Sequence, residues 1–420
     1  MILLNIDTTM IITSLAVFLL VILLLVIMLL VAKRYLVSSG NVTITINGEK
    51  QVVAESGSTL LNTLSTQSIF LPSACGGGGS CAQCRCQVLE GGGEILPTET
   101  IHFTRKEIKD NWRLGCQVKV KNDISIHIEE SILGVKKWEC EVVSNRNVAT
   151  FIKEFVVKLP EGEKLNFTSG GYIQIDVPKY DIKFTDFAIE EQFRGDWDKF
   201  KMWDLACKND EETMRAYSMA NYPAEGNIVM LNVRIATPPF DRAKGGWADV
   251  KPGICSSYIY NLKPGDKVHV SGPFGEFFPI LNSKKEMLYI GGGAGMAPLR
   301  SHVLHLLNTL KISDRKISYW YGARSKKEIF YEEDFRKLEK EFPNFKFNIA
   351  LSEPQPEDNW IGMVGFIHQV IHDEYLSNHD APEDIEYYMC GPGPMAKAVE
   401  KMLWDLGVPR ENLMFDDFGA

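Results

Sequence analysis

The chain has 420 residues, 45% hydrophobic and 24% charged, with a formal net charge of −9. This is globular composition, which excludes a largely disordered or collagen-like chain, and the length suits two or three domains. The acidic balance argues against a nucleic-acid partner, because phosphate neutralisation needs clustered Lys and Arg. Of the nine cysteines, four crowd between Cys75 and Cys86. That distribution points to metal ligation in a reducing compartment and not to a disulfide framework.

Residues 8–32 carry no charge, and 15–31 are almost entirely Leu, Ile and Val. About 20 apolar residues rising ~1.5 Å each cross a ~30 Å hydrocarbon layer, so the segment predicts one N-terminal transmembrane helix. A cleaved signal peptide fits poorly: residues 1–9 lack Lys and Arg, and no small-x-small site follows the run. Lys33 and Arg34 follow the span, while the head has only Asp7. The positive-inside bias therefore places the rest in the cytoplasm, on the membrane's inner face.

Residues 41–130 read as a small α+β (β-grasp-like) domain. Val42, Ile44 and Ile46 alternate with polar residues, Asn47-Gly48 supplies a hairpin turn, and Ser58 is the expected cap of a helix carrying Leu60, Leu61 and Leu64. Ile124, Ile126 and Ile128 alternate again after a Gly- and Cys-rich loop. Residues 133–281 hold short β-like runs divided by turn signals, which predict an antiparallel β-barrel. Residues 181–213 interrupt it as an acidic, aromatic insertion, and Trp197 and Trp203 suggest an exposed docking face. In residues 283–420, strands alternate with helical patterns, the mark of an α/β doubly wound parallel sheet.

Cys75, Cys81 and Cys84 are spaced C-x5-C-x2-C around Gly76 to Ser80, and Cys116 follows alone. The pattern is similar to the two-iron ferredoxin run C-x4-C-x2-C plus one distant Cys, with one residue more in the first gap. Zinc would be expected between two C-x2-C knuckles, and only one is present. These four cysteines are the expected metal ligands. Cys86, two residues further on, reads as a buried structural thiol.

Arg215-Ala216-Tyr217-Ser218 resembles the R-x-Y-S signature of ferredoxin-reductase-like flavoproteins. The resemblance implies that Tyr217 packs on the isoalloxazine of FAD, Arg215 meets the pyrophosphate and Ser218 lies near N5. It also implies that Gly253, Ser256 and Ser257 bind the flavin phosphate, and that Gly272-Pro273-Phe274-Gly275 closes the barrel. Gly291, Gly292, Gly293, Gly295 and Met296 form a glycine-rich strand-to-helix turn of the kind that admits a pyrophosphate. By the same resemblance Cys390, Gly391 and Pro392 flank the nicotinamide, and Phe418 covers the flavin until the nicotinamide displaces it. Ser218, Cys390 and Phe418 are thus the expected catalytic group.

The order of anchor, two-iron domain, flavin barrel and nicotinamide domain resembles that of the electron-input (F) subunits of sodium-translocating NADH:quinone oxidoreductases. R-A-Y-S-M-A-N-Y-P, G-G-G-A-G-M-A-P-L-R-S and the D-D-F-G end carry the likeness. It implies FAD, one [2Fe-2S] cluster, NADH as substrate, other subunits of a bacterial membrane complex as electron acceptors, and quinone reduction coupled to Na+ transport by that complex. Hydride carries two electrons and a two-iron cluster accepts one, so a flavin must stand between them. Arg324, Lys326 and Lys327 could suit the 2′-phosphate of NADPH, whereas Glu328, Glu332 or Glu333 could serve the ribose of NADH. A reductase component of an oxygenase is the alternative; it normally lacks the N-terminal span. A tethered scaffold without turnover is opposed by the intact cysteine quartet and glycine turns.

Overall fold

The computed structural model describes residues 8–36, 40–241, 243 and 245–416. They fall into two compact units, Met1–Leu71 with Ala82–Leu133, and Pro72–Cys81 with Gly134–Ala420.

The first unit opens with a 29-residue helix, Thr8–Leu36. Among the described residues no helix is long and apolar enough to cross a membrane. The continuous stretch with described side chains, residues 12–28, would measure about 25 Å at the ~1.5 Å helical rise. The side chains of Lys33 and Arg34 lie outside the described ones. A five-stranded sheet follows, in the order Lys50–Glu55, Asn41–Ile46, Ile124–His127, Arg85–Glu90, Trp112–Leu114. The Asn41–Ile46 and Ile124–His127 strands are parallel, and the other neighbours antiparallel. Val42, Ile44, Ile46, Ile124 and Ile126 alternate into one core with Leu60, Leu61 and Leu64 of the Leu60–Thr66 helix. That mixed sheet with one packed helix is the β-grasp arrangement expected. The helix cap is Thr59 and not Ser58: Thr59 Oγ1 accepts the Asn62 N–H at 3.3 Å. The Ser58 carbonyl is already engaged by the Val120 N–H at 3.0 Å.

In the second unit, six antiparallel strands run in the order Thr213–Ser218, Tyr172–Val177, Lys267–Phe274, Lys136–Ala149, Ile152–Lys158, Ile228–Arg234. The two edges meet through a Met219–Leu231 bridge and the Ala220 N–H to Met230 O bond at 2.7 Å, which closes the barrel. Closure removes the unpaired edges that an open sheet would expose.

The insertion forms a two-stranded ribbon, Tyr180–Lys183 with Ala206–Asn209, and a helix, Glu191–Lys199. Of the two tryptophans expected to be exposed, Trp203 is half-buried and Trp197 is not exposed at all. Trp197 is fully buried, within 6.1–6.3 Å, centroid to centroid, of the rings of Phe184, Phe187 and Tyr260. Its indole N–H donates to Thr150 O at 2.8 Å, so the ring is core with a satisfied polar edge.

The last third is a six-stranded parallel sheet ordered Met363–Val364, Phe345–Leu351, Ile317–Ala323, Met287–Gly292, Glu386–Cys390, Leu413–Asp416. Strand order reverses at Met287–Gly292, the switch point where such sheets bind dinucleotides. Barrel residues Ala149, Ile152 and Phe277 share a core with Met287 and Tyr289 of this sheet and Leu299 of the helix that follows, so barrel and sheet form one unit.

Candidate functional site

The glycine-rich turn follows directly from the central strand. Met287–Gly292 leads through Gly293–Gly295 into the helix Met296–Leu304. The neighbouring strand brings its own turn alongside, with Gly291 in register with Cys390. At Gly295 a Cβ would stand 2.1 Å from Cys390 O and 2.6 Å from Gly391 N, so only glycine lets the two turns meet. Sequence elements about a hundred residues apart are thus brought side by side. Met296 is the exception: its side chain is fully buried, and its sulfur accepts the Tyr319 hydroxyl at 3.3 Å. It belongs to the core, and only its backbone is placed to serve a nucleotide.

On the barrel, Thr213–Ser218 carries the flavin motif. Arg215 Nη1 donates to Met214 O at 2.7 Å and to Thr213 Oγ1 at 3.1 Å. Burial pushes the Tyr217 phenol well above its ordinary range, and the phenol hydrogen-bonds the Cys255 thiol. Ser218 is buried and donates to Asp416 Oδ2 at 2.5 Å. Asp416 ends the last strand of the sheet, where it is the register partner of Cys390. Ser218 and Cys390 therefore converge through a carboxylate that sequence reading missed. Asp416 opens the D-D-F-G end, from which the sequence singles out Phe418, a residue outside the described ones.

Gly253 caps the helix Ile254–Asn261. Ser256 Oγ donates to Gly253 O at 3.0 Å and accepts the Ala236 N–H at 3.1 Å. Its hydroxyl thus braces the loop, contrary to the expectation that it faces a phosphate. Ser257 Oγ is buried with no hydrogen-bond partner among the described residues. An orphaned hydroxyl in the first turn of a helix fits an anionic ligand.

The four cysteines are divided between the two units. In the second unit, the Cys81 thiol donates to Cys75 Sγ at 3.3 Å. That contact, and the backbone N–H groups of Cys81, Ser80 and Gly77, hold the Cys75 thiol well below its ordinary range against the opposing effect of burial. Gly76 lies so close to the flavin-motif strand that a Cβ would fall 2.1 Å from Arg215 Nη1. In the first unit, Cys84 precedes and Cys116 follows two paired strands, with Arg85 opposite Leu114 and the Gly115 N–H on Cys84 O at 2.7 Å. The strand before Cys116 is fixed by a buried pair: Arg113 Nη2 meets Glu99 Oε2 at 2.8 Å, and Glu99 also accepts the Leu114 N–H at 2.9 Å. Cys86 is fully buried, and its thiol is pushed up to about 12 by burial, as a structural residue should be. Among the described residues no three His, Cys, Asp or Glu side chains are gathered round a single metal point. A two-iron, two-sulfide group asks for two thiol pairs, one per iron, whereas zinc asks for four thiols about one centre.

A further polar joint ties the helix after the glycine turn to the barrel. Arg300 donates to Ala220 O at 2.9 Å and to both Glu225 oxygens at 2.8 and 3.0 Å, and it also reaches Asp334 at 3.3 Å. The adjacent Ser301 hydroxyl donates to Asn221 O at 2.8 Å. The candidate ribose and phosphate residues are mostly spent elsewhere. Arg324 pairs with Glu353 at 3.0 Å, Lys327 with Asp196 at 3.3 Å and Glu332 with Arg336 at 3.1 Å. Glu328 accepts hydrogen bonds from Thr150.

A β-grasp domain with a ferredoxin-type cysteine spacing, joined to a closed flavin-type barrel and a doubly wound sheet, defines a ferredoxin-reductase-like flavoprotein with its own iron–sulfur domain. Residues 44–121 match the 2Fe-2S iron-sulfur cluster binding domain, 199–278 the oxidoreductase FAD-binding domain and 289–401 the oxidoreductase NAD-binding domain. The fold is also that of an Amycolatopsis cytochrome P450 reductase, with a TM-score of 0.63 at 20% identity, covering 90% of this chain and 99% of the other. The F subunit of the Na(+)-translocating NADH-quinone reductase of Methylococcus capsulatus is 59% identical over 389 residues, 93% of this chain and 94% of the relative. The Serratia proteamaculans protein of that name is 56% identical over 412 residues, 98% of this chain and all of the relative. The chain belongs to this family, the F subunits of Na(+)-translocating NADH-quinone reductases. Its redox groups are FAD and one 2Fe-2S cluster, and its substrate is NADH.

Gly295→Ala should force the two nucleotide turns apart. The expected result is at least about tenfold weaker NADH binding, measured by titrating the flavin-loaded protein with NADH, because the clashing atoms are backbone and cannot swing away. Unchanged affinity would show that the turns do not form the site.

Proposed function

We propose that the convergence of Ser218, Asp416 and Cys390 is where hydride from NADH enters the chain, in the electron-input subunit of a membrane quinone reductase. When bound, FAD accepts electrons in a pair and releases them singly, and the 2Fe-2S cluster takes them one at a time. The chain's own residues hold and orient these groups. Arg215 and the Gly253 helix turn with Ser257 would hold the flavin's phosphates, and Tyr217 would back its ring. The turn from Gly291 to Gly295 admits the dinucleotide, with Gly391 and Pro392 bounding it. The Ser218 hydroxyl, its proton given to Asp416, is held in one orientation and keeps its oxygen lone pairs fixed at the junction of the two motifs. The Cys390 thiol packs at the strand end beside it. Cys75, Cys81, Cys84 and Cys116 would hold the cluster as thiolates. Phe418 remains a candidate cover for the flavin, on its sequence position alone. The curated relatives carry the words Na(+)-translocating and quinone in their names; we assign to this chain the delivery of electrons to partner subunits that complete that reaction.

Convergence of the flavin and nicotinamide motifs through Asp416 is the observation that carries this reading. Cys75→Ala should abolish electron delivery to a one-electron, cluster-dependent acceptor while retaining NADH oxidation with an acceptor that takes electrons directly from flavin. Loss of both activities in folded protein would contradict the order of transfer.

The Thr8–Leu36 helix is assigned as a single-pass anchor to the cytoplasmic membrane, with the catalytic domains on the cytoplasmic side. Its support is the uncharged run of residues 8–32 and side chains such as Leu15, Phe18, Leu20 and Leu24, each more than half exposed. Deletion of residues 1–36 should move the protein from the membrane to the soluble fraction with NADH oxidation retained. Retention at the membrane, in cells that lack the partner subunits, would contradict the anchor.

A further inference from the structure

We propose that Thr150 and Glu328 are positioning residues for hydride transfer: a barrel hairpin, braced from behind by the 181–213 insertion, sets the approach of the nucleotide sheet to the flavin motif. This rests on the proposed place of hydride entry and adds to it a set of residues that touch neither redox group.

Thr150 lies in the two-residue turn between the strands Lys136–Ala149 and Ile152–Lys158, and it is 2% exposed. Each of its polar groups is committed. Its N–H donates to Glu328 Oε2 at 3.3 Å, and its hydroxyl donates to Glu328 Oε1. Its carbonyl accepts the Trp197 indole N–H at 2.8 Å and the Asn147 amide at 3.4 Å. One side chain and its peptide groups thus join barrel, insertion and nucleotide sheet.

Glu328 ends a short turn, Lys326–Glu328, that follows the strand Ile317–Ala323. In that strand Gly322 is the register partner of Gly292 in the nucleotide turn. The Tyr321 hydroxyl fixes the Glu328 carbonyl at 3.2 Å. A displacement at Glu328 is therefore passed along one strand to the glycines that receive the dinucleotide. Burial pushes its carboxyl pKa up, and Asp196 adds to that rise, while Thr150 and Arg324 oppose it. Among the described residues no Lys or Arg forms an ion pair with it. A half-buried carboxylate without an ion-pair partner among the described residues is a costly way to hold two modules together, but its two directed hydrogen bonds fix an orientation that apolar packing does not.

The insertion supports the hairpin from the far side. The buried Lys153 ammonium donates to Ala188 O at 2.7 Å, and Glu190 accepts the Asn147 N–H at 3.0 Å. Asp196 pairs with Lys327, next to Glu328, at 3.3 Å. The insertion thus grips both sides of the joint.

The test is anaerobic rapid mixing of FAD-loaded full-length protein with NADH, which separates the limiting rate of flavin reduction from NADH affinity. Thr150→Val removes the hydroxyl at nearly constant shape, and Glu328→Ala removes the acceptor. A shift of the reacting atoms by ~1 Å can cost about 100-fold, so each variant should lower the limiting rate about tenfold or more, with NADH affinity within about threefold of the parent. The flavin spectrum and thermal midpoint should be unchanged, and Thr150→Ser should restore the rate. Limiting rates within about twofold of the parent in both variants would overturn the proposal, as would a Thr150→Ser variant as slow as Thr150→Val. If Thr150→Val does not fold, Glu328→Ala decides alone. Ser218→Ala separates the two readings. A slow Ser218→Ala beside normal Thr150→Val and Glu328→Ala rates removes the positioning role and leaves the site. A normal Ser218→Ala rate removes the proposed hydride site itself.

Discussion

The hydrogen bond from Ser218 to Asp416 joins a barrel strand to the last strand of the parallel sheet. Because Asp416 is in register with Cys390, and Cys390 with Gly291, that single bond aligns three elements drawn from the middle and end of the chain. A flavin barrel and a dinucleotide sheet can each exist without the other. Hydride transfer demands more, since donor and acceptor carbon and nitrogen must approach within ~3.5 Å in a defined orientation. The close approach at Gly295, the Arg300 joint and the shared core of Ile152, Phe277 and Tyr289 all serve that alignment. Precise placement of two bound groups needs a stiff unit, and this one is stiffened by directed polar contacts laid over apolar packing.

The second demand is electronic. A hydride brings two electrons, and an iron–sulfur centre of this kind takes one, so the protein must hold a flavin and a cluster in the same chain. Cys75 and Cys81 belong to one unit, and Cys84 and Cys116 to the other. Cys75 and Cys81 are turned together by a glycine-rich loop whose N–H groups face Cys75. Cys84 and Cys116 flank a strand pair locked by the buried Glu99–Arg113 contact.

Much of this was legible in the sequence because the relevant signals are local. Period-two runs such as Val42, Ile44, Ile46 gave strands, glycines after an apolar run gave the nucleotide turn, and R-A-Y-S fell on the strand expected for it. The short runs expected in the barrel include one strand of 14 residues, Lys136–Ala149. What escaped were partners fixed only by tertiary contact. Asp416 looks like any acid near a terminus until the register of the last strand sets it against Cys390. Ser256 reads as a phosphate ligand until the Ala236 N–H claims its oxygen. Trp197 reads as exposed because its neighbours Asp196 and Asp198 are acidic, yet one face of the helix Glu191–Lys199 is buried and carries it inward. Glu328 could have been a ribose ligand by composition, and only the fold shows that Thr150 occupies it.

The central claim is that this chain takes hydride in and lets electrons out singly. The most direct measurement is the visible spectrum of the anaerobic, purified full-length protein during stepwise NADH addition. Two electrons for FAD and one for the cluster predict bleaching of both chromophores, complete at about 1.5 equivalents of NADH per chain. An end point at one equivalent with flavin bleaching only, or bound zinc in place of iron and sulfide, would contradict it.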